Sequence, residues 1–225
     1  MDFLTIFARG GFLMYIILLL SLIGVFIIIE RWMTLRRSRP RTGAFQLKLR
    51  KILENKNIQL AQEFCIQENS PAGRIVGAGL EKINYGPVRL RQAMEDQGRE
   101  EVHYLERHLG ILASIAGIAP MLGFLGTVTG MLAAFQAVAA AAGQPSPTDL
   151  ADGIWEALIT TVFGLAVGIF TYGFYNYLIN STQVIISTLE RVARDTFDAV
   201  EECVYEHKVF ESVDESPKFQ NRGSS

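Results

Sequence analysis

Charged side chains are missing from three long stretches of this sequence. No Asp, Glu, Lys or Arg occurs from Gly10 to Ile29, from Leu109 to Thr148 or from Ala157 to Leu189. The 225 residues nevertheless include 21 Lys and Arg and 23 Asp and Glu, so charge is concentrated between and after these stretches. This segregation excludes an ordinary soluble domain and is typical of a protein that crosses a membrane several times.

The uncharged stretches are long enough to cross a bilayer. At about 1.5 Å per helical residue, the segment from Gly10 to Ile29 spans a hydrocarbon layer of about 30 Å. A cleaved signal peptide is disfavoured, because the leader MDFLTIFAR has no net positive charge and Glu30, Arg31 and Trp32 stand where a small-residue cleavage site should be. The other two stretches exceed one crossing, so their helices extend beyond the membrane, tilt, or join through an uncharged hairpin. We predict three crossings.

Basic residues are absent from the connection between the second and third stretches and abundant after the first. Positively charged flanks of membrane helices stay in the cytoplasm. The N-terminus is therefore expected outside, with the region from about Thr34 to His108 and the tail after about Leu178 inside. The basic residues after the first stretch are Arg31, Arg36, Arg37, Arg39, Arg41, Lys48, Arg50 and Lys51.

Cysteine and histidine are scarce, with two and three residues. Cys65 and Cys203 fall on the predicted cytoplasmic side, where thiols stay reduced, so no disulfide is expected. His103 and His108 are five positions apart on a predicted helix, a poor spacing for one metal ion, and His207 is distant. We expect no metal and no other cofactor.

Enzyme signatures are also missing. The sequence has no phosphate-binding glycine loop, no zinc-type His pair, no Gly-x-Ser-x-Gly segment and no paired intramembrane aspartates. Acidic residues interleave the cytoplasmic Lys and Arg residues, which disfavours a nucleic-acid surface. The sequence therefore indicates neither an enzyme nor a nucleic-acid-binding protein.

Local signals mark where several helices begin. Ser70 followed by Pro71 predicts an N-cap with proline at the first helical position, and NYGP at 84–87 predicts a turn. Apolar spacing after that turn predicts a helix that runs unbroken into the second membrane span. SPTD at 146–149 predicts that the third long helix begins near Pro147.

Small residues recur at steps of three and four along both longer spans, so each span has one flat face. Two readings remain open: the faces pack on each other, as small residues allow in membranes, or they line a lumen filled by another helix. In the second reading, Thr127 and Thr161 supply hydroxyl groups. The candidate lining residues are Ala116, Pro120, Gly123, Gly130 and Ala134 on the second span and Ala157, Gly164 and Gly168 on the third.

Glu156 is the one ionisable residue within a predicted span that is not at its cytoplasmic end. A carboxylate at the bilayer centre costs about 2.5 to 3.5 kcal/mol on insertion scales, so such a residue usually faces protein or water and marks a function. Asp149, Asp152 and Glu156 step along one face, which Thr160 continues inward. The adjacent Trp155 supports the alternative of an ordinary interfacial acid.

A single carboxylate and a few threonines make an incomplete proton relay, and three spans without a repeat do not easily enclose a pore. If protons cross here, the residues therefore require a homo-oligomer and a partner helix that carries an acid.

The segments APMLGFLGTVTGMLAAF and GIWEALITTVFGLAVGIFTYGFYNYL resemble the ExbB/TolQ/MotA proton-channel family, most closely its ExbB-like branch. The resemblance implies a homo-oligomer, a pentamer, in the bacterial inner membrane, surrounding the single spans of two ExbD-like subunits. It also implies that proton flow moves these subunits and energises a TonB-like protein for transport across the outer membrane.

The same resemblance assigns a proton path to Glu156 of the EAL segment, Thr161 five residues later, and Thr127 of the GTV turn. The sequence departs from better-known members at Thr129, where they carry tryptophan, and at Trp155 and Thr160. A TolQ-like role in outer-membrane integrity and a passive membrane scaffold are the alternatives.

The expected fold class is an all-α membrane protein with three transmembrane helices, long cytoplasmic helical extensions, a periplasmic N-terminus and a cytoplasmic C-terminus. Its expected segments are a periplasmic start (1–9), a first span (10–33), a cytoplasmic helical loop (34–108), a second span (109–142), a short periplasmic loop (143–149), a third span (150–180), a cytoplasmic amphipathic helix (181–215) and a disordered tail (216–225).

Overall fold

A computed structural model describes residues 10–38, 42–55, 57–140 and 147–205. The predicted start (1–9), most of the predicted periplasmic loop, the last part of the predicted amphipathic helix with His207, and the predicted tail lie outside these residues.

The described residues form helices and short turns, without a strand, which confirms the predicted all-α class. Three segments are long and apolar enough to cross a membrane, as predicted: Gly11–Arg36, Pro87–Ala140 and Leu150–Cys203. The helices are α1 (Gly11–Ser38), α2 (Thr42–Glu54), α3 (Ile58–Glu68), α4 (Pro71–Glu81), α5 (Pro87–Glu106), α6 (Leu109–Ala140) and α7 (Pro147–Val200), with a 3-10 turn at Ile83–Tyr85 and a π-helical turn at Glu201–Tyr205.

The chain divides into two compact units. We call Met1–Arg37 with Glu106–Thr182 the apolar unit, and Ser38–Leu105 with Gln183–Ser225 the polar unit. The interior of the apolar unit is built from aliphatic side chains, whereas many of its large apolar side chains are exposed, as expected of helices whose surroundings are lipid or other protein. The exposed set includes Phe12, Leu22, Phe26, Met121, Phe124, Phe135, Leu158, Ile169 and Phe170.

The prediction of an unbroken helix from Pro87 into the second span is wrong. Helix α5 ends at Glu106, α6 begins at Leu109, and His108 between them adopts a left-handed backbone conformation with φ of 66°. A tertiary contact accompanies this break: Nδ1 of His108 lies 3.5 Å from a carboxylate oxygen of Glu30 on α1. The same carboxylate binds the guanidinium of Arg31, which is buried.

The polar unit contains the caps and turns that the sequence predicted. Ser70 caps α4 by accepting a hydrogen bond from the N–H of Gly73 at 3.1 Å, with Pro71 at the first helical position. The turn before α5 has Gly86 at φ of 94°, a conformation that favours glycine. In the apolar unit, helix α7 begins at Pro147, as predicted.

An ion pair and a buried thiol lie inside the polar unit. Arg74 donates two hydrogen bonds to Glu101, at 2.6 and 2.7 Å, and this pairing raises the pKa of the Arg74 guanidinium above its ordinary value. Burial raises the pKa of the Cys65 thiol to about 12. The rings of Phe45 and Phe64 stack with centroids 5.5 Å apart.

Candidate functional site

Helices α6 and α7 touch backbone to backbone where Gly123 faces Gly164. A β-carbon added to Gly164 would lie 2.6 Å from the carbonyl oxygen of Ala119 and 2.8 Å from the α-carbon of Gly123. A β-carbon on Gly123 would lie 3.0 Å from the carbonyl oxygen of Thr160. Small residues permit such a close approach of membrane helices, and here the approach leaves no room for a methyl group.

The close contact continues toward both ends of the two helices. An added β-carbon on Gly153 would lie 2.6 Å from the β-carbon of Ala134, and one on Gly130 would lie 3.0 Å from that of Ala157. In the other direction, Gly168 packs directly against the ring of Pro120. We call this contact line between α6 and α7 the glycine seam.

The predicted small-residue faces therefore meet each other within one chain. Pro120 is half-buried, and the other seven candidate lining residues are buried: Ala116, Gly123, Gly130, Ala134, Ala157, Gly164 and Gly168. Packing was one of the two readings that the spacing left open. The role of this face as the lining of a pore stays a prediction.

Two neighbouring threonines of α7 contribute hydroxyl groups to the glycine seam. Thr161 is half-buried, and its hydroxyl lies 2.9 Å from the carbonyl oxygen of Gly123 on α6 and 3.3 Å from that of Ala157. The side chain of Thr160 is buried against Gly126, where an added β-carbon would collide with it. Its hydroxyl lies 3.0 Å from the carbonyl oxygens of Glu156 and Ala157 in its own helix.

Thr127 lies one helical turn beyond Gly123 on α6 and is half-buried. Its hydroxyl donates to the carbonyl oxygen of Phe124 in the same helix at 2.5 Å. The nearby Thr129 is exposed and also bonds within its helix, to Leu125 at 3.0 Å. Each hydroxyl is thus oriented by a backbone carbonyl and keeps lone pairs that can accept a further hydrogen bond.

The Glu156 side chain is half-buried and lies against Gly11, the first residue of α1. An oxygen of its carboxylate occupies the position that a β-carbon on Gly11 would need. Because five positions turn an α-helix by about 500°, Thr161 points about 140° away from Glu156 around α7. The structure therefore brings Thr161 to α6 and Glu156 to α1, and does not bring the two side chains together.

The remaining acids of the predicted stripe contribute less to this site. Asp152 is exposed one turn before Glu156, and the side chain of Asp149 lies outside the described part of the chain. Sequence reasoning missed the contact of Gly11 with Glu156 and that of Gly126 with Thr160, because both join residues far apart in the chain. The only available signals were glycines within apolar helices.

Comparisons with known proteins identify the family of this chain. A sequence model of the MotA/TolQ/ExbB proton channel family matches residues 67–191, more than half of the chain. Among similar proteins, an ExbB homologue of Methanothermobacter thermautotrophicus is 32% identical over 86% of this chain and 68% of its own length. The ExbB-like 1 protein of Synechocystis sp. is 32% identical over 77% of this chain and 69% of its own length. The Tol-Pal system protein TolQ of Haemophilus influenzae is 30% identical over 79% of this chain and 84% of its own length. The chain therefore belongs to the MotA/TolQ/ExbB proton channel family.

Proposed function

We propose that this protein is the proton-conducting motor subunit of an ExbB–ExbD-like complex in the bacterial inner membrane. Copies of the chain, five in number, surround ExbD-like single spans and convert the proton motive force into their motion. That motion energises a TonB-like protein for outer-membrane transport. The observation that carries the proposal is the half-buried carboxylate of Glu156, the one charged side chain between Asp152 and Glu190 on α7, in a chain of a proton channel family.

The side chains around the glycine seam support a proton path that needs a second protein. Glu156 supplies an acid, and the hydroxyls of Thr127 and Thr161 supply groups that both donate and accept. No hydrogen bond joins these three side chains to one another, so a continuous path requires water and an acid on another helix. An intramembrane aspartate of an ExbD-like span would provide that acid.

The surface of the apolar unit supports assembly with other helices. Large apolar side chains of α6 are exposed on the sides that α7 does not cover, among them Met121, Phe124 and Phe135. Lipid, further copies and the single-span subunits would share this surface. One proton crossing 100 mV releases about 2.3 kcal/mol, so several protons suffice to move a partner helix.

The distribution of charge supports one orientation. The basic residues that follow the first uncharged stretch favour a cytoplasmic polar unit, with both the N-terminus and the α6–α7 connection in the periplasm. Glu156 would then lie toward the periplasmic end of α7, where protons enter.

The test measures proton flux. The chain is co-purified with its single-span subunit, reconstituted in liposomes and exposed to a pH gradient and a membrane potential. We expect Glu156→Ala to reduce the flux at least about a hundredfold, the scale on which loss of a proton-transferring group acts. The matched control is Asp152→Asn, one turn away and exposed. Native-like flux through a fully assembled Glu156→Ala complex would refute the proposal.

Two other roles have an observation in their favour. Similarity to TolQ supports a role in outer-membrane integrity, which complementation of detergent sensitivity would separate from complementation of iron-chelate uptake. The glycine seam supports a passive scaffold, which predicts that Glu156→Gln is tolerated and that no acid-bearing partner co-purifies.

A further inference from the structure

Gly11 and Glu156 form a contact that depends on the missing side chain of Gly11. Gly11 begins α1 with φ of 64°, a backbone conformation that residues with a side chain rarely adopt. The carboxyl carbon of Glu156 lies only 3.1 Å from the position of a β-carbon on Gly11, and a carboxylate oxygen lies closer still. The backbone conformation therefore favours glycine at this position, and a β-carbon here would displace the end of the Glu156 side chain.

The elements on both sides of this contact are held in place by packing. Met14 and Ile17, one and two turns into α1, are 0% and 1% exposed, so the beginning of α1 is anchored in the interior of the apolar unit. Ala157, next to Glu156, is 1% exposed and packs in the glycine seam opposite Gly130. The Glu156 side chain thus leaves a fixed point on α7 and ends at a fixed point on α1.

We propose that Gly11 is a positioning residue for Glu156. By lacking a β-carbon, it admits the carboxylate against the first turn of α1 and so determines where the acid stands beside the proton path. The first turn of a helix also carries partial positive charge on its unpaired N–H groups, which attracts a carboxylate. The expected effect of Gly11 on proton flux rests on the proposed role of Glu156 in proton transfer. The effect of Gly11 on the position of the Glu156 carboxylate does not rest on that role.

Two other glycines provide controls. The atoms nearest to a β-carbon on Gly10 would be those of the Met14 side chain, at 3.0 to 3.4 Å, and not those of Glu156. Gly86 in the polar unit has φ of 94° with nothing within 4 Å of an added β-carbon. Gly10→Ala therefore measures the effect of an added methyl group near the start of α1. Gly86→Ala measures the effect of a side chain at positive φ where that side chain collides with nothing.

The experiment compares Gly11→Ala and Gly11→Asn with these controls in the full complex in liposomes. Asparagine is included because it tolerates positive φ better than alanine. The first measurement is the rate at which dicyclohexylcarbodiimide modifies Glu156, followed by mass spectrometry of the peptide. The second is proton flux.

We expect both Gly11 variants to raise the modification rate several-fold, because the carboxylate is pushed out from between α1 and α7. Flux should fall at least about tenfold, since displacing a reacting group by ~1 Å can cost about a hundredfold. The control variants should keep both values within about twofold of the unsubstituted protein, because Glu156 is not among the atoms nearest to either added methyl group.

The two measurements separate the two proposals. Faster modification with unchanged flux would leave the positioning intact and refute the role of Glu156 in proton transfer. An unchanged modification rate would overturn the positioning role, whatever the flux. If the Gly11 variants fail to accumulate, Glu156→Ala is added to empty the space: restored accumulation supports the collision, and continued failure overturns the inference.

Discussion

The hydroxyl of Thr161 donates a hydrogen bond to the backbone carbonyl of Gly123, 2.9 Å away on the neighbouring helix. The contact exists because Gly123 and Gly164 let the two backbones meet one turn away. A proposed member of the proton path therefore also joins α6 to α7. The two roles make different predictions.

Thr161→Val keeps the shape of the side chain and removes the hydroxyl. We expect a loss of about 1 kcal/mol or less in stability, the scale of hydrogen bonds between membrane helices, and a large loss of proton flux. Thermal unfolding in detergent and flux in liposomes measure the two effects. Thr129→Val is the control, because Thr129 bonds only within α6. Flux that falls only in proportion to stability would assign Thr161 a structural role alone.

Gly164→Ala should force the glycine seam apart. The atoms facing the new methyl group are backbone atoms at 2.6 and 2.8 Å, which cannot turn aside, so we expect a destabilisation of about 1 to 3 kcal/mol. Gly173→Ala lies on the same helix with nothing within 4 Å and should be neutral or slightly stabilising. Equal unfolding temperatures for the two variants would contradict the close approach of α6 and α7.

The left-handed conformation of His108, between α5 and α6, predicts that glycine stabilises the protein more than alanine at this position, the reverse of their order within a helix. Both His108→Ala and His108→Gly lose the contact with Glu30, so the difference between their free energies of unfolding depends on the backbone conformation at position 108. At φ of 66° alanine carries a penalty of about 1 kcal/mol that glycine avoids, so the glycine variant should be the more stable one. In an unbroken helix the order would reverse by a similar amount. Thermal unfolding of the two variants decides between these geometries.

The buried thiol predicts the pH dependence of alkylation. Cys65 is 2% exposed, and its pKa of about 12 keeps it protonated where an ordinary thiol, with a pKa of about 8.5, is already a thiolate. Iodoacetamide should therefore leave Cys65 unmodified at pH 9 and modify it after denaturation, as read by mass spectrometry. Because the folded state raises this pKa, the corresponding stability is present below about pH 8.5 and is lost as the pH rises toward 12. Rapid modification of native Cys65 at pH 9 would contradict its burial.

Features set by neighbouring residues could be predicted from the sequence. The three apolar spans, the cap at Ser70 and the start of α7 at Pro147 all depend on composition or on residues within one turn. The break at His108 could not be predicted, because apolar spacing continues on both sides and the contact that accompanies it comes from Glu30, 78 positions earlier in the chain.

The residue types of the candidate site could be predicted from the sequence, but the positions of these side chains relative to one another could not. An isolated acid at position 156 and two threonines are visible as exceptions in apolar sequence. Which neighbouring helix each one meets depends on how α1, α6 and α7 pack together. In the case of Gly11 and Glu156 this packing joins residues more than a hundred positions apart. The same dependence left the two readings of the small-residue faces open.

The glycine seam also limits how this protein can respond to movement beside it. Where backbone lies on backbone, the separation of α6 and α7 has no room to shrink, and widening it would open a void in the packing. Any adjustment to a moving neighbour must therefore come from the outward-facing side chains. These change rotamer within picoseconds to nanoseconds, much faster than helices shift. A partner helix that turns against this surface would therefore contact a rigid pair of helices through side chains that can change rotamer.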